Sequence, residues 1–134
     1  MNLYLDASAL VKRYVAEPGS DIVRDLMTHA EGWFMCRVGF LETARAVGLA
    51  GGSAASINAV RAEWSAFGVI EVDQQLVDQA IGLAFSNELR SLDALHLAAA
   101  LVLPRDDLTL TTWDRRLHTA ALASGLSVVP AMLD

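Results

Sequence analysis

Four acidic side chains carry the chemistry this chain can do: Asp6, Glu42, Asp93 and Asp114. Two of them fall at the carboxyl ends of expected strands, and the other two on helices that follow or flank strands. In an open α/β sheet such positions meet in one crevice, beside the point where the strand order reverses, and that crevice is where ligands bind. Carboxylates brought together there repel one another and raise their own pKa values unless a cation neutralises them. An all-oxygen donor set of this kind suits Mg²⁺ or Mn²⁺, which favour octahedral oxygen shells and keep several waters. A divalent cation in such a site lowers the pKa of a bound water and orients it for attack, so metal-assisted hydrolysis is the chemistry open to these residues.

Taken singly, each acid has a plainer reading. Asp6 directly follows the first strand and precedes Ser8, where it can accept hydrogen bonds from free N–H groups at a helix start. Asp93 lies two residues after Ser91, read as an N-cap, and there meets the positive end of a helix dipole for roughly 0.3–1 kcal/mol. Asp114 follows Thr112-Trp113 at a strand-to-helix junction, where a cap contributes about 1 kcal/mol. Glu42 sits among Val38, Phe40, Leu41, Ala44, Ala46 and Val47 in a helix, where a solvated Glu is commonplace. Only the joint placement separates a metal site from four helix-end residues.

Other ligand types are poorly provided. His29, His96 and His118 are scattered; His96, between Leu95 and Leu97, reads as a hydrogen-bonded packing histidine, and His118 as a surface residue. The single Cys36 has no cysteine partner for a disulfide or a zinc ribbon, which fits a reducing compartment.

Short β-branched or apolar runs alternate with longer helical patterns, which points to an α/β domain with a mainly parallel sheet. Strands are expected at 2–5, 69–72, 108–111 and 126–129, and a short apolar segment at 33–36. Helices are expected at 8–16, 21–29, 38–50, from Ser53 to near Phe67, at 74–88, at 91–103 and at 114–124. Glu17-Pro18-Gly19 reads as a turn, Gly51-Gly52 and Pro104 as helix stops, and Gly125 as a C-terminal cap. Residues 1–134 read as one domain without linker or repeat.

The apolar fraction of 54% is high for a soluble domain, so apolar surface is expected to remain for a partner or a dimer. The longest apolar run, Leu97 to Leu103, is far short of the ~20 residues of a membrane span. The first residues lack the basic and apolar regions of an export signal, so a cytoplasmic protein is expected. A formal net charge of -6 argues against a nucleic-acid binder, but bound divalent cations would offset part of it and themselves attract phosphate.

The chain resembles the PIN-domain ribonucleases, and within them the VapC toxins of VapBC toxin–antitoxin pairs. The resemblance runs nearly end to end. It is carried by the opening L-Y-L-D-A-S-A-L-V-K-R-Y, by E-T-A-R-A around Glu42, by L-R-S-L-D-A-L-H-L-A-A-A around Asp93 and by T-T-W-D-R-R-L around Asp114. It implies a three-layer α/β/α sandwich with a mainly parallel central sheet, spanning residues 1–134 as a single PIN domain. Its characteristic acids correspond to Asp6, Glu42 and Asp93, with Asp114 a more variable fourth. It also implies polar helpers beside the metal, matched by Thr112 and Ser8, for which helix capping is the alternative. Where such proteins often carry Ser or Thr before the Glu-bearing helix, this chain has Cys36-Arg37; Arg37 reads as a surface residue, with an approach to phosphate as the alternative.

The activity so implied is Mg²⁺- or Mn²⁺-dependent endonucleolytic hydrolysis of RNA, by the toxin of a type II toxin–antitoxin pair. Asp6, Asp93 and Asp114 would be metal ligands, and Glu42 either a ligand or the acceptor of the water's proton. Lys12, Arg13, Arg90, Arg115 and Arg116 are available either to RNA or to surface ion pairs. A VapB-like antitoxin and a homodimer are the implied partners. Two rivals remain: a noncatalytic PIN-fold protein that sequesters a partner, and a haloacid-dehalogenase-like phosphohydrolase. The second needs Asp-x-Asp after its first strand, where this chain has Asp6-Ala7-Ser8.

Overall fold

A computed structural model describes residues 1–133. Its centre is the segment Leu3-Tyr4-Leu5, without exposed surface on either side. Such two-sided burial is what a central strand of a parallel sheet requires. This strand, β1 (Asn2–Leu5), pairs in parallel with β2 (Gly32–Cys36) on one side and β4 (Leu108–Thr111) on the other. Outside them lie β3 (Phe67–Ile70) and β5 (Ser127–Val129), giving the order β3-β2-β1-β4-β5, parallel throughout.

Seven helices among the described residues cover the two faces: α1 (Ala7–Tyr14), α2 (Ser20–His29), α3 (Arg37–Leu49), α4 (Ala54–Glu63), α5 (Gln74–Asn87), α6 (Ser91–Val102) and α7 (Arg115–Ala123). Alternation along the strands divides the core. Leu3, Leu5 and Met35 pack with Leu10, Val23, Met27 and Phe40 from α1, α2 and α3. Tyr4, Cys36, Leu108 and Leu110 face the other way, onto Leu76 and Ala80 of α5, Leu97 to Ala100 of α6 and Leu117 of α7. The result is the expected three-layer α/β/α sandwich. No helix among the described residues is long and apolar enough to cross a membrane.

Local chemistry explains the boundaries. Asp6, Ser53, Asp73 and Asp114 each accept a hydrogen bond from a backbone N–H three residues on, capping α1, α4, α5 and α7. Leu103 is extended, as a residue before proline prefers to be, and α6 stops there. Gly19 begins α2 at φ 93°, with the Trp113 ring only 2.7 Å from where a Cβ would stand, so both the backbone and the space demand glycine.

Three expectations need correction. Ser91 makes no capping bond; α6 starts at Ser91 with Arg90 in the cap position, so the Asp93 region is held by the Arg90 side chain instead. The helix expected to reach Phe67 ends at Glu63 in a tighter turn, Trp64–Ala66, and the strand starts at Phe67 rather than Val69. Phe67 is better used in the sheet: it pairs with Trp33 and packs against Phe40, and Gly68 opposite Phe34 leaves room for that ring. His118, read as a surface residue, is buried, its Nε2 2.7 Å from the carbonyl of Pro130.

Candidate active site

The chain leaves β1 toward β2 and β3, then returns to the other side of β1 through β4, so the strand order reverses between β1 and β4. Leu5 and Thr111 are register partners at the carboxyl ends of those two strands. Asp6 and Thr112 therefore emerge side by side. The Thr112 hydroxyl donates to Asp6 Oδ2 across 2.6 Å, and the Ser8 hydroxyl to Oδ1 across 2.7 Å. The same two hydroxyl oxygens accept the N–H groups of Asp114 and Trp113, at 3.0 and 2.9 Å. Each hydroxyl proton is thus committed to Asp6, and the turn after β4 is fastened to the start of α1. The Ala9 N–H adds a third donor to this carboxylate. Burial pushes the Asp6 carboxyl above its ordinary pKa, against the pull of these donors.

A cavity of about 380 Å³ opens over this point, lined by all four acids together with Ser8, Arg90 and His96. Thr112 stands behind Asp6 rather than among the lining residues. Asp93 comes from the first turn of α6, and Asp114 from the cap of α7, where its Oδ1 accepts the Leu117 N–H at 2.9 Å. Burial and the neighbouring Asp114 raise the Asp93 pKa, opposed by Arg90. The Arg90 guanidinium spans the two, with Nε 3.2 Å from Asp93 Oδ2 and Nη2 3.0 Å from Asp114 Oδ2. Glu42 enters from the middle of α3, its Oε1 2.7 Å from Nε2 of His96.

Among the described residues no group of three His, Cys, Asp or Glu side chains is drawn together closely enough to hold an ion directly. The donor chemistry nevertheless suits Mg²⁺ or Mn²⁺, because such cations bind through one or two carboxylates and keep several waters, and the cavity has room for those waters. Among the described residues that line it, four carboxylates face one arginine. Their shared negative field favours a cation there.

One neighbour of the acids escapes a sequence reading centred on them. His96, read as a packing histidine, is indeed buried and hydrogen-bonded, but its partner is Glu42. The signal for it is spacing: His96 lies three residues after Asp93, one turn along the same face of α6. Arg90, read as available either to RNA or to an ion pair, is placed by its position just before α6 and pairs with Asp93 and Asp114. Conversely, Lys12 and Arg13 are withdrawn from any ligand. Lys12 is buried, donating to Glu17 and the Pro18 carbonyl, and Arg13 forks onto Glu63. Arg37 forms a bidentate surface pair with Glu71.

The PIN domain family model matches residues 3–122. Ribonuclease VapC45 of Mycobacterium tuberculosis is 34% identical over 98% of this chain and 97% of its own length. Ribonuclease VapC46 of the same species is 37% identical over 95% of each chain. The crystal structure of Mycobacterium tuberculosis VapC20, described as a sarcin-ricin loop cleaving toxin, superposes with a TM-score of 0.72 at 16% identity, covering 88% of this chain and 94% of that one. A toxin–antitoxin complex from Klebsiella pneumoniae gives 0.71 at 17% identity, over 98% of this chain and 99% of that one. The chain belongs to the PIN-domain family. That membership sets aside the haloacid-dehalogenase-like alternative, and Ser8, which would be the second acid of that motif, instead donates to Asp6.

Proposed function

We propose that this protein is a Mg²⁺- or Mn²⁺-dependent endoribonuclease, the toxin of a type II toxin–antitoxin pair, acting in the cytoplasm. The observation that carries the reading is the convergence of Asp6, Glu42, Asp93 and Asp114 on one cavity at the sheet's switch point. The names of its relatives, ribonucleases over nearly the full chain, supply the substrate class.

Asp6, Asp93 and Asp114 would hold the cation, and Glu42 would either join them or accept a proton from the attacking water. A divalent cation supplies two things in such a site: acidification of water and neutralisation of charge on the phosphate. The rest falls to the chain itself. Thr112 and Ser8 favour the charged form of Asp6 and fix its orientation by donating a hydrogen bond to each of its oxygens. Arg90, exposed at the cavity rim, can exchange its carboxylates for a phosphate oxygen, and exposed Arg115 and Arg116 extend positive charge along α7 for the RNA backbone.

A VapB-like antitoxin is the proposed inhibitor, in keeping with neighbours solved as toxin–antitoxin complexes. A homodimer is part of the same reading. It is supported by the exposed stripe Val77, Ile81 and Phe85 along α5, too apolar to face water without cost. The test is to map RNA 5′ ends after brief expression of the wild-type chain and of Asp93→Asn. Discrete new ends with the wild type, absent with the variant, are expected; identical maps would remove the nuclease reading and leave a noncatalytic, partner-sequestering protein.

A further inference from the structure

Tyr4 has no exposed surface and His96 almost none, so every proton and lone pair on them must be placed within the protein. The Cys36 backbone N–H can only donate, and it lies 3.0 Å from Tyr4 Oη. Tyr4 Oη is 2.7 Å from His96 Nδ1, and His96 Nε2 is 2.7 Å from Glu42 Oε1. Only one arrangement satisfies all three contacts. If Nδ1 carried a proton, the Tyr4 hydroxyl hydrogen would have no acceptor among the described residues. If Nε2 lacked one, it would press a lone pair against a carboxylate oxygen. Tyr4 therefore donates to Nδ1, and Nε2–H donates to Glu42. The rings meet edge to face at 5.9 Å and 74°, which helps to fix the imidazole plane.

We infer that His96, set by Tyr4, is a positioning residue that holds Glu42 in the cavity as a hydrogen-bond acceptor and leaves its other carboxylate oxygen for the reaction. The inference rests on the reading of Glu42 as part of an RNA-cleaving site. A glutamate has three rotatable bonds, and an untethered one on a helix spreads over many rotamers. Catalytic geometry tolerates little of this, since about 1 Å of misplacement costs up to about a hundredfold in rate. The tether runs from the sheet to two of the helices that cover it: β1 supplies Tyr4, α6 supplies both Asp93 and His96, and α3 supplies Glu42. One helix thus delivers one carboxylate and the orienter of another.

The test uses purified full-length protein and two readouts. Nitrogen-15 NMR of the His96 ring in metal-free wild type should show Nε2 protonated and Nδ1 as an acceptor, with the two forms mixing in Tyr4→Phe. In single-turnover RNA cleavage, His96→Leu should lose about ten- to a hundredfold in rate with KM little changed. His96→Gln, whose amide can donate from near the place of Nε2, should recover part of that loss. A merely structural role would lower thermal stability in both variants without this rescue. Should His96→Leu not fold, His96→Gln and Tyr4→Phe carry the same comparison. A protonated Nδ1 in the wild type, or a folded His96→Leu with wild-type turnover, would overturn the inference. Wild-type protein that cleaves no RNA would overturn the nuclease reading and, with it, the role given to Glu42. An active wild type beside an unimpaired His96→Leu overturns the positioning by His96 alone.

Discussion

The Thr112 hydroxyl joins Asp6 at 2.6 Å, tying the carboxyl ends of β1 and β4 together at the point where the strand order reverses. Both residues are buried, so the bond is a structural fastener as well as a constraint on Asp6. Thr112→Val keeps the shape but removes a donor from a buried carboxylate and an acceptor from the Asp114 N–H. A loss of roughly 1–3 kcal/mol in urea unfolding is expected, with Thr112→Ser close to wild type. Equal stability of Thr112→Val and wild type would show that Asp6 does not depend on this donor.

Arg90 stands between Asp93 and Asp114 where positive charge is most wanted. A cation that binds these carboxylates competes with it. Replacing Arg90 with Gln should therefore tighten Mn²⁺ binding several-fold in calorimetry, even while RNA cleavage weakens through loss of a phosphate contact. Weaker Mn²⁺ binding in the variant would mean that Arg90 orders the carboxylates for the metal instead of competing for them.

Away from the cavity, Glu63 at the end of α4 receives Arg13 through two bonds, at 3.0 and 2.7 Å, and the Tyr14 hydroxyl at 2.6 Å, joining α4 to α1. The Arg13 guanidinium, helped by Tyr14, holds the Glu63 carboxyl below its ordinary pKa. A carboxyl depressed on folding stabilises the protein fully above its unfolded pKa and loses that contribution as pH falls through the folded one. Glu63→Gln should thus cost about 1 kcal/mol at neutral pH, after allowance for solvent screening. The difference from wild type should vanish in acid, below the ordinary carboxylate range. A gap that persists unchanged there would trace the loss to packing.

Gly19 offers a test of local geometry. Its φ of 93° and the nearby Trp113 ring make Gly19→Ala costly on two counts, with roughly 1–3 kcal/mol expected in thermal or urea unfolding. A neutral substitution would mean that the turn before α2 can relax.

Much of this was readable in residue order. Leu3-Tyr4-Leu5 announces a buried strand, Asp6 and Asp114 announce helix caps, and both caps are also cavity acids, so capping and site placement are compatible at the same residue. What was not readable depends on contacts across the sheet. His118 looks like a surface histidine on α7 until the Pro130 carbonyl is seen to cover it. Phe67 looks helical until Trp33 is found opposite it in the sheet. Lys12 looks available for phosphate until Glu17 and Pro18 fold back onto it. His96 looks like core because it is core, and only Glu42, from a helix far away in the chain, makes it part of the cavity.

The central claim is that the four converging carboxylates form a nuclease site, and the most direct measurement is cleavage of RNA by purified wild type and Asp6→Asn in Mn²⁺, with circular dichroism confirming that both are folded. The account predicts cleavage by the wild type that chelation abolishes, and a loss of at least about a hundredfold in folded Asp6→Asn. Undiminished metal-dependent cleavage by Asp6→Asn would contradict it.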